Sequence, residues 1–282
     1  MNCPLGHVTA TMTTNTTTTA PATVMYLVPR AQHSDALLDA LETLFEAGNR
    51  CRGAEIEAKV GGVDADVFDA LVRKCDAAAP GGGWTEFDAA WRVTEDVLMD
   101  DDMRCTRGAA GSTCAFVRKR RVRDVDAEAR QDGVIAVPVR ISLRTETVID
   151  NPPPLAQRSV RIKRRRSFRN ADGFRIDLTQ VWSGATIREA RAAPVAYEVE
   201  VECVDATCAV AASRPPGATA SPARHLAEAL LCRVDDLLCV VWHRIAGREW
   251  TPPPADAAPV VAAAPYDRIV LVDDRTADGA HH

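Results

Sequence analysis

Ala54-Glu55-Ile56-Glu57-Ala58-Lys59-Val60, Val160-Arg161-Ile162-Lys163-Arg164-Arg165 and Tyr197-Glu198-Val199-Glu200-Val201-Glu202-Cys203 alternate charged and apolar residues at the period of a β-strand. Side chains two apart on a strand share a face at roughly 7 Å spacing. The first and third stretches therefore gather carboxylates on one face, and the second gathers cations. The interleaved Ile56, Ala58, Val60, Val199 and Val201 call for an apolar core. Both faces of each strand are then enclosed, one by hydrocarbon and the other by a space that holds many charges. Enclosed charges require partners or a metal ion. A hydrated cavity that takes a metal ion and a polyanion meets that requirement.

The turn signals around these strands predict a mainly β (α+β) chain. Strands are expected at about 54–61, 93–99, 103–107, 113–125, 134–149, 159–169, 174–182 and 196–204, separated by Asp100-Asp101-Asp102, Gly108 to Gly111, Asp132-Gly133, Asn151-Pro152-Pro153-Pro154 and Asp172-Gly173. Eight antiparallel strands in a run of hairpins can close into a β-barrel without edges. Helical periodicity marks flanking helices at 34–47 (Ser34 as N-cap, Gly48 near the stop), 64–78 and about 222–244, and a short helix is expected at 85–91. The Thr-rich residues 1–24 are expected to be disordered, residues 25–250 to form the folded domain, and the Pro/Ala-rich residues 251–282 to be a tail.

The chain has 282 residues and a net charge of −5, which argues against non-specific coating of nucleic acid. The runs Arg118–Arg123 and Arg161–Arg169 are locally basic but interleaved with Val, Ile and Phe, as strands are; Arg120, Arg164 and Arg166 fall out of phase and form a candidate exposed phosphate patch. No apolar run has the length of a membrane-spanning helix, and no secretory signal is legible at the start. The nine cysteines show no metal-site spacing beyond Cys203-x4-Cys208, which has no matching second pair, and are expected to be free thiols of a reducing compartment. There is no Gly-x4-Gly-Lys-[Ser/Thr] phosphate loop, no His-Cys-x5-Arg phosphatase loop and no Lys-x-Asp-Gly nucleotidyl-transfer motif. The six histidines are scattered and the five tryptophans dispersed, so neither set makes a site; core packing is the expected role of the tryptophans.

Taken in order, the strands resemble those of the triphosphate tunnel metalloenzymes, in particular the RNA 5′-triphosphatases (capping enzyme beta subunits) of fungal, protozoal and DNA-virus mRNA capping systems. The resemblance covers about residues 50–205. It runs from Glu55-Ile56-Glu57-Ala58-Lys59 through Arg104, Val117-Arg118-Lys119-Arg120 and Val139-Arg140-Ile141-Ser142-Leu143-Arg144-Thr145-Glu146. It continues with Arg161-Ile162-Lys163-Arg164-Arg165-Arg166-Ser167-Phe168, Arg175-Ile176-Asp177-Leu178-Thr179-Gln180-Val181 and Glu198-Val199-Glu200-Val201-Glu202.

The resemblance implies a closed eight-stranded antiparallel tunnel in which Glu55, Glu57, Glu200 and Glu202 bind Mg²⁺ or Mn²⁺. Glu198 would stand beside them, and Lys59, Arg104, Lys119, Arg140, Arg161, Lys163 and Arg165 would grip the triphosphate. It implies that Arg161, Lys163, Arg165 and Arg175 act on the transferring phosphate, that Glu146 positions or deprotonates the attacking water, and that Asp177 and Thr179 hold the basic side chains. The activity implied is metal-dependent hydrolysis of the γ-phosphate of triphosphate-ended RNA, the first step of capping. The alternatives are an NTPase or inorganic tripolyphosphatase with the same tunnel, and a non-catalytic phosphate- or RNA-binding barrel. Expected partners are 5′-triphosphate RNA ends and a separate guanylyltransferase, with no membrane. A second copy of the chain is also a candidate, packing on the helices at 34–47 or 222–244. The expected location is the nucleus or cytoplasm, in a host cell if the protein is viral.

Overall fold

A computed structural model describes residues 25–28, 32–33, 35–78, 85–86, 91–108, 114–131, 135–170, 172–206, 219–245 and 268–272. The elements in chain order are β1 (Met25–Val28), β2 (Gln32–His33), α1 (Asp35–Asn49), β3 (Ala54–Val60), α2 (Ala65–Ala78), β4 (Thr85–Glu86), β5 (Arg92–Met99) and β6 (Met103–Gly108). They continue with β7 (Ala115–Gln131), β8 (Ile135–Val148), β9 (Gln157–Arg169), β10 (Phe174–Gly184), α3 (Ile187–Ala192), β11 (Ala196–Cys203), α4 (Pro222–Ile245) and β12 (Arg268–Val272).

Eight strands pair in the antiparallel ring β3–β8–β7–β6–β5–β9–β10–β11 and back to β3. The expected closed eight-stranded barrel is thus present. Its order is not one unbroken run of hairpins: β5–β6–β7–β8 and β9–β10–β11 are meanders, β3 inserts between β11 and β8, and β5 joins β9. Outside the ring, β12 pairs with β7, β1 with β12, β2 with β1 and β4 with β9. Two expectations change here. Thr85–Glu86 is a strand rather than part of a short helix, and Arg268–Val272, expected in a tail, adds a strand to β7. Residues 1–24 lie outside the described residues.

The apolar core lies outside the barrel. Ile56, Ala58 and Val60 of β3, Val139, Ile141 and Leu143 of β8, and Val199 and Val201 of β11 turn outward under α1, α2 and α4. Leu37, Leu41 and Leu44 of α1, Phe68 and Leu71 of α2, and Leu230, Leu231, Val234 and Leu237 of α4 are fully buried against them. Alternation therefore sends every second residue of these strands to the helices and the charged remainder to the lumen. Helix starts are set by local chemistry: Asp64 Oδ1 accepts from the backbone of Val67 (2.8 Å) ahead of α2, and Ser221 Oγ accepts from Arg224 N (3.0 Å) ahead of α4, whose first residue is Pro222. The opposite wall carries a small cluster of Val97, Cys105 and Val160, against which Ile187 of α3 packs. Cys105 and Cys114 are joined there as a disulfide, because β6 and the start of β7 bring their Cα atoms to 6.0 Å; the expectation of thiols throughout does not hold for this pair. No described helix is long and apolar enough to cross a membrane.

Two turns position the lumen. The hairpin Asp100–Met103 between β5 and β6 has positive φ at Asp101 (57°) and Asp102 (55°), a conformation short acidic side chains tolerate. Gly53 has φ 71°, and a Cβ on it would stand 2.3 Å from the backbone oxygen of Glu146. A glycine is needed for the start of β3 to lie this close to β8, where Glu146 N donates to Gly53 O (2.8 Å).

Candidate active site

The lumen is a cavity of about 550 Å³. Its lining takes Glu55, Glu57 and Lys59 from β3, Arg104 from β6, Lys119 from β7, Arg144 and Glu146 from β8, Arg161, Lys163 and Arg165 from β9, Arg175 and Asp177 from β10, and Glu198, Glu200 and Glu202 from β11. Asp102 and Arg158 add one charge of each sign, so nine cations meet eight carboxylates. Strand register explains the assembly: Glu57 stands opposite Glu202, Lys59 opposite Glu200, Thr179 opposite Arg165 and Asp177 opposite Ser167.

The charges are interlocked. Lys119 Nζ lies 2.7 Å from Glu55, 3.2 Å from Glu146 and 3.6 Å from Glu57. Burial alone would lower its pKa, but these carboxylates outweigh burial and raise it. Arg104 Nη2 donates to Glu146 (3.0 Å) and Arg144 Nε to Glu57 (3.1 Å). Glu198 accepts from Lys59 (2.5 Å) and Arg161 (2.7 Å), which overcome its burial and bring its pKa down to about 2. Asp177 accepts from Arg165 (2.9 Å) and from Ser167 (2.6 Å), with Arg175 Nε at 3.2 Å, while Arg165 Nε also donates to Thr179 (3.1 Å). Asp177 thus accepts from both arginines, and Thr179 from Arg165 alone.

On the acidic wall the balance runs the other way. Burial raises the pKa of Glu55, Glu200 and Glu202. Glu57 and Glu198 push Glu200 further, and Glu202 reaches about 7 because Arg175 only partly offsets its burial and the nearby acids. These carboxylates form a cluster with a shortage of positive charge, the condition a divalent cation relieves. Among the described residues no three of them converge closely enough to hold a metal ion as they stand, since Glu55 turns to Lys119, Glu57 to Arg144 and Glu202 to Arg175. In donor type the set fits a hard ion that takes carboxylate oxygens.

Of the residues expected at the site, Glu55, Glu57, Lys59, Arg104, Lys119, Glu146, Arg161, Lys163, Arg165, Arg175, Asp177, Glu198, Glu200 and Glu202 all line the cavity, and Thr179 bonds to one that does. Arg140 does not. It points the same way as Lys59 across the β3–β8 pair but lies beyond the cavity, where Asp126 accepts its Nε at 2.6 Å; the cavity cation on β8 is Arg144, four residues on. Asp96 of β5 was not legible in the sequence. It is buried, with Lys163 at 2.5 Å and the Thr106 hydroxyl at 2.8 Å, and Lys163 holds its carboxyl below the usual range in spite of burial. Arg120, Arg164 and Arg166, the candidate exposed patch, have local neighbours: Asp101 at 3.9 Å from Arg120, the Trp91 ring 4.6 Å from Arg164, and Asp76 at 2.7 Å from Arg166.

No protein-family model matches the sequence, and no curated protein is similar to it. Solved structures do match. The S. pombe Pct1 RNA triphosphatase superposes with a TM-score of 0.50 at 18% identity, covering 79% of this chain and 96% of that one. The same protein in complex with the Spt5 CTD matches with a TM-score of 0.50 at 18% identity, over 77% and 94%. The Mimivirus capping enzyme triphosphatase gives 0.47 at 15% identity, over 61% and 89%. At these identities the likeness is one of fold: the chain has the tunnel fold of RNA triphosphatases.

Proposed function

We propose that the protein is a metal-dependent RNA 5′-triphosphatase that hydrolyses the γ-phosphate of nascent RNA, the first step of 5′ capping. The observation that carries this reading is the charge layout of the lumen, where nine cations and eight carboxylates leave an empty cavity close to neutral. A triphosphate end brings several negative charges into a space that already holds eight carboxylates. A divalent cation is the species that restores balance, and the electron-rich wall of Glu55, Glu57, Glu200 and Glu202 is where it would be held. Mg²⁺ or Mn²⁺ there would supply charge neutralisation to the transferring phosphoryl group.

The chain's own side chains account for the remaining demands of phosphoryl transfer, namely orientation and electrostatic stabilisation. Arg161 and Arg165, locked by Glu198 and Asp177, offer planar forks to phosphate oxygens; Lys59, Lys119 and Lys163 offer point charges, and Arg104, Arg144 and Arg175 complete the grip. Glu146 is half-buried beside Lys119 and Arg104, which hold its carboxyl below the usual range against the effect of burial. A carboxylate so stabilised is a weak base, and its role is to accept a hydrogen bond from the attacking water and aim it in line. The water oxygen forms the new P–O bond, and the bond from phosphorus to the bridging oxygen breaks with its electron pair left on the diphosphate end. The water's protons leave with the orthophosphate, one of them passing to solvent at neutral pH.

The same lumen suits free nucleoside triphosphate or inorganic tripolyphosphate. A third reading, a barrel that only binds phosphate or RNA, gives the acidic wall no task. The test is phosphate release from γ-labelled RNA, ATP and tripolyphosphate, with and without EDTA. Faster turnover of RNA ends per micromolar substrate supports the capping assignment; preference for tripolyphosphate moves the protein to that activity, and no release from any of the three leaves the binding barrel. A guanylyltransferase partner and action in the nucleus or cytoplasm go with the capping role, and a second copy packed on α1 or α4 is a separate proposal.

A further inference from the structure

Beyond the Lys163–Arg165 wall the lumen continues into a second recess of about 290 Å³ that shares Arg104, Lys163, Arg165 and Arg175 with the main cavity. The two spaces differ in charge. The main cavity holds eight carboxylates, whereas the recess has Asp96 as its one carboxylate against five cations, the fifth being Arg92. Arg92 is exposed at the start of β5, opposite Arg165, and makes no ion pair among the described residues. Arg104 Nε is buried without a hydrogen-bond partner, an unused donor on the wall between the two spaces. At about 30 Å³ per water, the recess holds on the order of ten waters. That is room for a hydrated orthophosphate, while the larger cavity, rimmed by Met99, Asp102 and Arg158 on its other side, takes the triphosphate.

We propose that this recess is an orthophosphate station, the place that receives the cleaved γ-phosphate, so that product leaves past Arg92 while the RNA end withdraws by the Arg158 mouth. The assignment rests on the hydrolytic reading above, but anion binding there does not require turnover. In the reaction, water adds to phosphorus, the bridging P–O bond breaks, and the electron pair stays with the diphosphate end. The orthophosphate gains the water oxygen and both its protons, one of which passes to solvent at neutral pH, and the anion is drawn by a cation set with one competing acid in the recess. Three of the shared cations are paired toward the main cavity, Arg104 on Glu146, Arg165 on Asp177 and Arg175 on Glu202, and Lys163 is paired with Asp96 in the recess. Arg92 is therefore the residue whose loss distinguishes the recess.

The test is equilibrium dialysis of ³²P-orthophosphate against the full chain, comparing wild type with Arg92→Gln and Arg161→Gln, with tripolyphosphate binding measured in parallel. Arg92→Gln is expected to weaken orthophosphate about fivefold and tripolyphosphate less than twofold, with Arg161→Gln showing the reverse order, since Arg161 lines the main cavity alone. An exposed side chain makes Arg92→Gln safe for folding, which circular dichroism checks. Equal loss of both anions, or orthophosphate binding indifferent to Arg92, overturns the station. Weaker binding of triphosphate RNA by Arg92→Gln with orthophosphate unchanged overturns it as well, and makes Arg92 the RNA mouth. If Arg92-dependent binding appears but no triphosphate is hydrolysed, the anion site stands and the catalytic reading falls.

Discussion

Lys163 has 9% of its side chain exposed and is surrounded by Arg161 and Arg165, so its charge depends on Asp96, 2.5 Å away. Breaking a buried pair by removing one partner costs about 3–5 kcal/mol. Asp96→Ala is expected to lose stability of that order in urea unfolding and to lose phosphate release with it. Glu202 offers a second test at this scale. Burial and the neighbouring acids push its pKa up to about 7 in the fold, above a glutamate's ordinary 4.5, so the folded state holds more protons. Its contribution is fully present below about pH 4.5 and is lost as pH rises through 7. In EDTA the urea midpoint should fall between pH 5 and pH 8, and Glu202→Gln should flatten that fall; an unchanged slope in the variant contradicts the assignment. The alternation of Glu198, Glu200 and Glu202 made their shared face legible. Asp96 was hidden because Glu95 and Asp96 are adjacent, and only pairing of Asp96 with Arg161 decides which one faces the lumen. Arg140 and Arg144 share a face, and where the cavity ends along β8 depends on an offset between strands that the sequence does not display.

At the scale of elements, the strands carry two separable jobs, with apolar residues facing the helices and charged residues facing the lumen. Leu230→Ala in α4 removes a fully buried side chain from the outer core, so a loss of about 2–5 kcal/mol in unfolding is expected with kcat little changed. Gly53→Ala should act in the opposite sense. It strains the backbone against Glu146 O and displaces the water-aiming carboxylate, so kcat should drop more than KM rises. Most barrel strands and three helices were readable from period and turn residues. The short pieces were not: β4 and β12 have two and five residues, too few for a period to register. The six-residue α3 is announced only by Thr186, which accepts from Glu189 N, while Glu189 reaches back to Ala185 N (2.9 Å), a capping signal that could have been found.

On the scale of the molecule, the barrel inverts the usual arrangement of a small globular domain, with its apolar core outside under the helices and its charges inside. Closure leaves the lumen strands no free edge, and near-neutral pairing keeps the empty lumen from repelling itself. The closed barrel was legible because three alternating strands of opposite charge need a shared polar interior. The joining of β5 to β9 and the insertion of β3 between β8 and β11 were not, because such pairings depend on contacts far apart in the chain. The central claim is that this lumen hydrolyses a triphosphate with the help of a metal held by its acidic wall. The most direct measurement is γ-phosphate release from triphosphate RNA with Mg²⁺ or Mn²⁺, comparing wild type with Glu57→Ala and Glu202→Ala. Release that requires the metal and drops by about 10²-fold or more in both variants is expected. A folded wild-type protein that releases no phosphate with either metal, or variants that release it at the wild-type rate, would contradict the account.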